Sequence, residues 1–133
     1  MNIRTMNISD YDNVYALWLS CKNMGFNNVD DSHDGIKRFL ERNPSTCFVA
    51  EVNNEIAGVI ISGNDGRRGY IYHMSFAEKY RRCGIGTNLV NICLSALKKE
   101  GISKVALLVF KYNEAGNAFW EKQGFTLRDD IAY

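Results

Sequence analysis

Two arginines and two closely spaced glycines meet in one stretch, Tyr80-Arg81-Arg82-Cys83-Gly84-Ile85-Gly86-Thr87, and an apolar run with helical spacing follows at once. A glycine-rich turn ahead of a helix leaves backbone N–H groups unpaired, and the helix dipole adds partial positive charge there. Glycine lets the backbone approach an anion with no Cβ in the way. Arg81 and Arg82 can add charge-assisted contacts to phosphate oxygens. The chemistry on offer is phosphate binding; the alternative is a plain loop with solvated arginines. Spacing narrows the ligand. The pattern GxxxxGK[ST] of a P-loop is absent, and the GxGxxG of a dinucleotide site lacks its third glycine, because GIG is followed by Thr87-Asn88-Leu89. What stands here is Arg81-x-x-Gly84-x-Gly86.

The surrounding elements must hold this turn. Residues 2–6 suit a short strand, and Ser9 or Asp10 can cap a helix running to about Lys22, with Val14, Leu17, Trp18 and Cys21 at helical spacing. Residues 23–30 read as a loop. Asp31 or Ser32 caps a second helix with Ile36, Phe39 and Leu40 apolar, and Asn43-Pro44 ends it. Two β-branched runs flank Asn53-Asn54-Glu55, a hairpin signal, and residues 63–69 form a second turn. The run YIYHMSF then leads into the glycine turn. Residues 85–100 are an amphipathic helix with Lys98 and Lys99 near its end and Gly101 at C′. KVALLVF, residues 104–110, is expected to be a strand buried on both faces. Residues 114–122 read as a helix stopping at Gly124, and FTLRDDIAY as a closing strand. The order β-α-α-β-β-β-α-β-α-β predicts an α/β (α+β) fold, a mixed sheet with helices on both faces.

The 133 residues fit one domain, 1–133, with one core. At 46% hydrophobic and 23% charged residues, composition is that of a soluble globular protein. A net charge of +1 provides no basic field for nucleic acid, and no apolar stretch approaches the roughly 20 residues of a membrane span. The N-terminus has no apolar signal region. Cys21, Cys47, Cys83 and Cys93 form no CxxC pair and have no histidine cluster beside them, which argues for reduced cysteines in a cytoplasmic protein rather than a zinc site.

The run HMSFAEKYRRCGIGTNLV, residues 73–90, resembles motif A of the GNAT N-acetyltransferases, whose core is [RQ]-x-x-G-x-[GA] after a strand. NEAGNAFWEKQGF, residues 113–125, resembles that family's second signature, and a helix and a strand separate the two as they do in the family. The resemblance spans the chain and is nearest to small bacterial single-domain members. It implies the GNAT fold, a mixed, mostly antiparallel sheet of about six to seven strands flanked by four helices. It also implies acetyl-CoA (coenzyme A) as cofactor and a small-molecule or peptide amine as acceptor.

Residue by residue, the resemblance puts the pyrophosphate of acetyl-CoA on Arg81, Arg82, Cys83, Gly84, Ile85, Gly86 and Thr87, with the Thr87 hydroxyl as a further contact. The pantetheine arm would lie along the backbone of Met74, Ser75 and Phe76, where the family's fourth strand carries a bulge and splays from the fifth. The N–H of Met74 is then the oxyanion donor for the thioester carbonyl. Asn113, Gly116 and position 120 share a helical face toward the cofactor; Asn113 is also a natural N-cap. Cys83, in the pyrophosphate loop, is remote from the thioester and is not a nucleophile.

Position 120 departs from the family. Many members have a tyrosine there that protonates the departing thiolate; Trp120 cannot. Tyr112 or Tyr72 could supply the proton instead, water could, or the chain could be a weak or inactive acyl-CoA-binding module. The base departs too. The glutamate positions of histone-lysine and protein N-terminal acetyltransferases are occupied by Tyr70 and Leu108, which argues against both substrate branches. Glu51, Asp65, Tyr72 and His73 remain, along with a chain of waters. Asp30, Asp31 and Asp34 place negative charge near the loop between the first two helices, where they either attract a cationic amine or cap and solubilise. A nucleotide-binding domain is the competing class, disfavoured by the missing glycine. Open sheet edges would allow a homodimer.

Overall fold

The computed structural model describes residues 1–22 and 24–133; Asn23, in the expected loop over 23–30, lies outside the described residues. Five strands form one sheet in the order β1-β2-β3-β4-β5: β1 (Asn2–Thr5), β2 (Phe48–Val52), β3 (Glu55–Asn64), β4 (Gly69–Phe76) and β5 (Val105–Leu107). The first four are antiparallel and β5 runs parallel to β4. The helices are α1 (Tyr11–Ser20), α2 (His33–Arg42), α3 (Ile85–Lys99) and α4 (Glu114–Lys122).

Local chemistry explains most boundaries. Asn53 and Asn54 both have positive φ, 51° and 65°, the two-residue turn that matches the twist of β2 and β3. Ser32 caps α2 by accepting from the Gly35 N–H. Asp10, one of the two expected caps, is the N-cap residue of α1 but makes no side-chain cap bond to it. Asn7 and Asp10 form a capping box on a 3-10 turn at Ile8–Asp10, and α1 continues from it. Gly101, at φ 85°, ends α3 and turns Ile102 back to donate to the Leu97 carbonyl.

The core has two layers, one on each face of the sheet. Val14, Leu17, Trp18, Ile36 and Leu40 of α1 and α2 meet Val49, Val59 and Ile61. Ile85, Leu89, Val90, Cys93 and Leu97 of α3 meet Phe48, Ala50, Ile60 and Ile71, with Phe119 and Trp120 of α4 alongside. All four cysteines are free.

Two expectations need correction. The sheet has five strands instead of six or seven, because FTLRDDIAY does not pair. Residues 126–133 are exposed, and Arg128 and Asp130 hold a local bend by a bidentate ion pair. KVALLVF is not buried on both faces either. Only Val105–Leu107 forms a strand, with Val105 and Leu107 half-buried and Ala106 exposed at the edge of the sheet.

Candidate active site

The glycine turn follows β4 through a 3-10 turn at Glu78–Tyr80. Arg82 and Gly84 are both left-handed, at φ 64° and 78°, and α3 begins at Ile85 with no side chain capping it. The N–H groups of Arg82, Gly84, Ile85, Gly86 and Thr87 have no acceptor among the described residues, whereas Arg81 and Cys83 donate to the carbonyls of Glu78 and Tyr80. Five unpartnered donors at a helix N-terminus, beside two arginines, suit a diphosphate. They border a cleft of about 170 Å³ that Phe76, Tyr80 and Phe119 complete. Gly86 is needed for that shape: a Cβ there would lie 3.1 Å from the Phe119 ring and 3.2 Å from Phe76. The Thr87 hydroxyl accepts from Gln123 Nε2 at 3.1 Å and keeps its own proton free to donate.

The second feature is a split in the sheet. β4 pairs with β5 only at Gly69, Tyr70 and Ile71, so residues 72–76 have an open edge on that side. The register with β3 jumps from Ser62↔Ile71 to Ile61↔His73, which makes Tyr72 the extra residue of a bulge. N–H groups alternate sides along a strand. Ala77 N–H donates to the Ala57 carbonyl of β3 at 2.7 Å, so the N–H groups of Met74 and Phe76 point the other way, to the open edge. A cleft of about 280 Å³ opens at the fork, lined by Tyr70, Ile71, Tyr72, Leu108 and Tyr133. An anion cradle at one end of an unpaired strand edge can hold an extended phosphate-bearing arm along that edge.

The sequence model of the acetyltransferase (GNAT) family matches residues 11–125. The chain belongs to this family. It is 32% identical over 131 residues to an acetyltransferase of Sodalis glossinidius (strain morsitans), covering 98% of this chain and 91% of that one. Its fold is similar to that of Ard1 from Thermoplasma volcanium, with a TM-score of 0.85 at 22% identity, over 96% of this chain and 83% of the other. It is also similar to the PaiA N-acetyltransferase of Thermoplasma acidophilum, solved in complex with coenzyme A, with a TM-score of 0.83 at 19% identity, over 96% and 91%. The protein is therefore an acyltransferase whose reaction is acetyl transfer from acetyl-CoA.

The other sequence-derived positions divide clearly. Asn113 caps α4, its Oδ1 accepting from the Gly116 N–H at 2.9 Å, while its Nδ2 has no partner among the described residues. A Cβ on Gly116 would lie 2.4 Å from that Nδ2, so glycine here makes room for the cap. Trp120 packs edge-on between Phe119 and Phe125, at 5.1 and 5.2 Å between ring centroids. Tyr72 lines the fork and stacks near Tyr70 and Phe39. Tyr112 is exposed and stacked on Phe110, 5.1 Å away, outside that lining. Ser75 points to the α1 side, its hydroxyl on Met24 Sδ.

Of the base candidates, Glu51 is ion-paired with Arg4 at 2.8 Å. Asp65 accepts from the N–H groups of Arg67 and Arg68, which hold it below its usual range in the β3–β4 turn. His73 alone is joined to a second catalytically capable group, Asp31, at 2.9 Å. Asp31 is thus buried in a pair, while Asp30 and Asp34 remain exposed. Tyr80 and Phe119 are cradle residues that motif spacing missed. Both flank motif positions; the 3-10 turn at Glu78–Tyr80 brings Tyr80 to the cleft, and the docking of α4 on α3 brings Phe119.

Proposed function

We propose that the chain, acting as one domain over residues 1–133, transfers the acetyl group to a primary amine by direct attack in a ternary complex. The open β4 edge with the cradle at its end carries this reading. The diphosphate sits on the N–H groups of Arg82 and Gly84–Thr87, with the Arg81 and Arg82 side chains and the Thr87 hydroxyl adding contacts. The pantetheine arm pairs with the backbone of Met74, Ser75 and Phe76 in place of a neighbouring strand. The Met74 N–H receives the carbonyl oxygen as it becomes an oxyanion. Asn113 Nδ2 reaches the arm from the start of α4, and Gly116 and Trp120 border it.

The acceptor, a small-molecule or peptide amine, enters at the fork. Tyr72 is the nearer proton donor for the leaving thiolate, because it lines the fork and Tyr112 does not. A thiolate is also a tolerable leaving group, with a free pKa near about 8.5. The reaction is placed in the cytoplasm; among the described residues no helix is long and apolar enough to cross a membrane. The exposed edge of β5 is where a homodimer would pair.

The test is calorimetric titration with acetyl-CoA followed by thiol release over a panel of amines and peptides. One-to-one binding with release is expected. Binding without release, restored by Trp120→Tyr, would instead favour an acyl-CoA-binding module, a reading that the packed, non-ionising Trp120 supports. No binding would remove the cradle assignment.

A further inference from the structure

We propose that His73, held by Asp31, is the base that removes the proton of the acceptor ammonium; this rests on the fork being the acetyl-transfer site. Three relationships carry it. First, His73 directly follows the bulged Tyr72 and directly precedes Met74, whose N–H faces the open edge. The bulge turns Tyr72 and His73 to the same face of β4, the face covered by α1 and α2, since Tyr72 meets Phe39 while His73 meets Trp18 and Phe26.

Second, residues 25–31, between α1 and α2, lie over this place. Gly25 lies against Phe110, beyond the end of β5, so the segment bridges the two diverging strands above His73. Phe26, the next residue, is partly exposed and lies 6.5 Å from the His73 ring. Trp18 is edge-on to His73 at 5.0 Å, and its buried Nε1 has no hydrogen-bond partner among the described residues.

Third, the bond to Asp31 assigns the imidazole its role. Asp31 Oδ1 takes Nε2 at 2.9 Å, which places the ring proton there and leaves the Nδ1 lone pair available. Nδ1 has no partner among the described residues, and the His73 side chain keeps 14% of its surface exposed beside Tyr72, which lines the fork cleft while His73 stands behind that lining. Asp31 is itself oriented by the Asn27 N–H at 2.9 Å on its other oxygen, and the Tyr11 hydroxyl donates to its carbonyl. Asp31 is the charged group bonded to His73; Tyr11, which donates to the Asp31 carbonyl, and the adjacent Tyr72 are titratable groups close by, and the β3 residue opposite His73, Ile61, is apolar.

The protons balance as follows. The ammonium R–NH3⁺ gives one proton to His73 Nδ1, and the Asp31 carboxylate stabilises the imidazolium. The free amine attacks the carbonyl carbon, forming the C–N bond and an oxyanion on the Met74 N–H. Collapse breaks the C–S bond; Tyr72 gives its proton to the departing sulfur and takes the second nitrogen proton in its place, and His73 returns the first to solvent. His73 is the catalytic residue and Asp31 a positioning residue.

The experiment measures thiol release against pH for wild type, His73→Gln and Asp31→Asn, using acetyl-CoA and an amine panel that includes ethylamine, 2-phenylethylamine and an alanyl peptide. Calorimetry of acetyl-CoA binding runs beside it. His73→Gln keeps a donor for Asp31, so it should fold and bind acetyl-CoA within about twofold of wild type while kcat/KM falls by about 100-fold. Its acid limb, which follows an imidazole in wild type, should disappear. Asp31→Asn should lower kcat by about 10-fold with the amine KM within about twofold of wild type, since the imidazole loses the partner that orients it. An unchanged limb in His73→Gln with binding intact overturns the dyad and leaves the transferase standing. Failure of wild type to bind acetyl-CoA, or to release thiol with any amine, overturns the underlying site instead.

Discussion

Gly58 of β3 lies directly against Ile85, the first residue of α3: a Cβ on Gly58 would come within 2.7 Å of Ile85 Cγ2 and 3.0 Å of Leu89 Cδ1. Glycine on the strand thus lets the N-terminal turn of α3, which carries the cradle, close on the sheet. Gly58→Ala should destabilise the fold by about 1–3 kcal/mol through overpacking. It should also weaken acetyl-CoA binding, because relief comes from moving the start of α3. Urea unfolding and calorimetry would check both; wild-type values in the two measurements would rule the relationship out.

Arg82 tests strain against binding. At φ 64° it sits in a conformation that costs an L-residue about 1–2 kcal/mol and costs glycine little. Arg82→Gly should leave the melting temperature unchanged or raised while acetyl-CoA affinity drops several-fold, and the wild-type affinity should weaken more with added salt than the variant's. A parallel fall in both quantities would mean that Arg82 is structural.

The cap on α4 makes a non-additive prediction. Asn113→Ala should cost about 1 kcal/mol. Gly116→Ala gains up to about 1 kcal/mol in helix propensity, but its new Cβ displaces the Asn113 side chain and loses the same cap. The double variant should therefore be more stable than the sum of the two single changes indicates. Strict additivity in denaturant unfolding would contradict the 2.4 Å approach.

Acid stability should report two carboxylates. Hydrogen bonds from Arg4 hold Asp10 below its ordinary range against the opposing effect of burial. For Asp31, burial acts upward most strongly, but the bonds from His73 and the Asn27 N–H together bring it below its ordinary range. Both folded-state values lie under the unfolded value of 3.8. The stability they contribute is thus present above that pH and lost as pH falls through the folded values. The urea midpoint should drop between about pH 5 and pH 3 in wild type and drop less in Asp10→Asn. Equal slopes would exclude the Arg4–Asp10 contribution.

What the sequence determined by itself was whatever depends on near neighbours along the chain. The Asn53-Asn54 turn, the Ser32 and Asn113 caps, the stops at Gly101 and Gly124 and the glycine turn before α3 all close hydrogen bonds within a few residues. The free donors of that turn were legible for the same reason, since they belong to residues 82 and 84–87. Pairings between distant positions were decided only by the tertiary structure. Glu51 is an ion-pair partner because Arg4 arrives from 47 residues away, and Asp31 is joined to His73 from 42. Phe119 enters the cradle only because α4 docks on Gly86. KVALLVF has the composition of a central strand yet forms an edge, and FTLRDDIAY that of a strand yet pairs with nothing. Apolar content measures what a segment can bury, whereas pairing requires a partner edge in register, which is fixed by where the other elements pack.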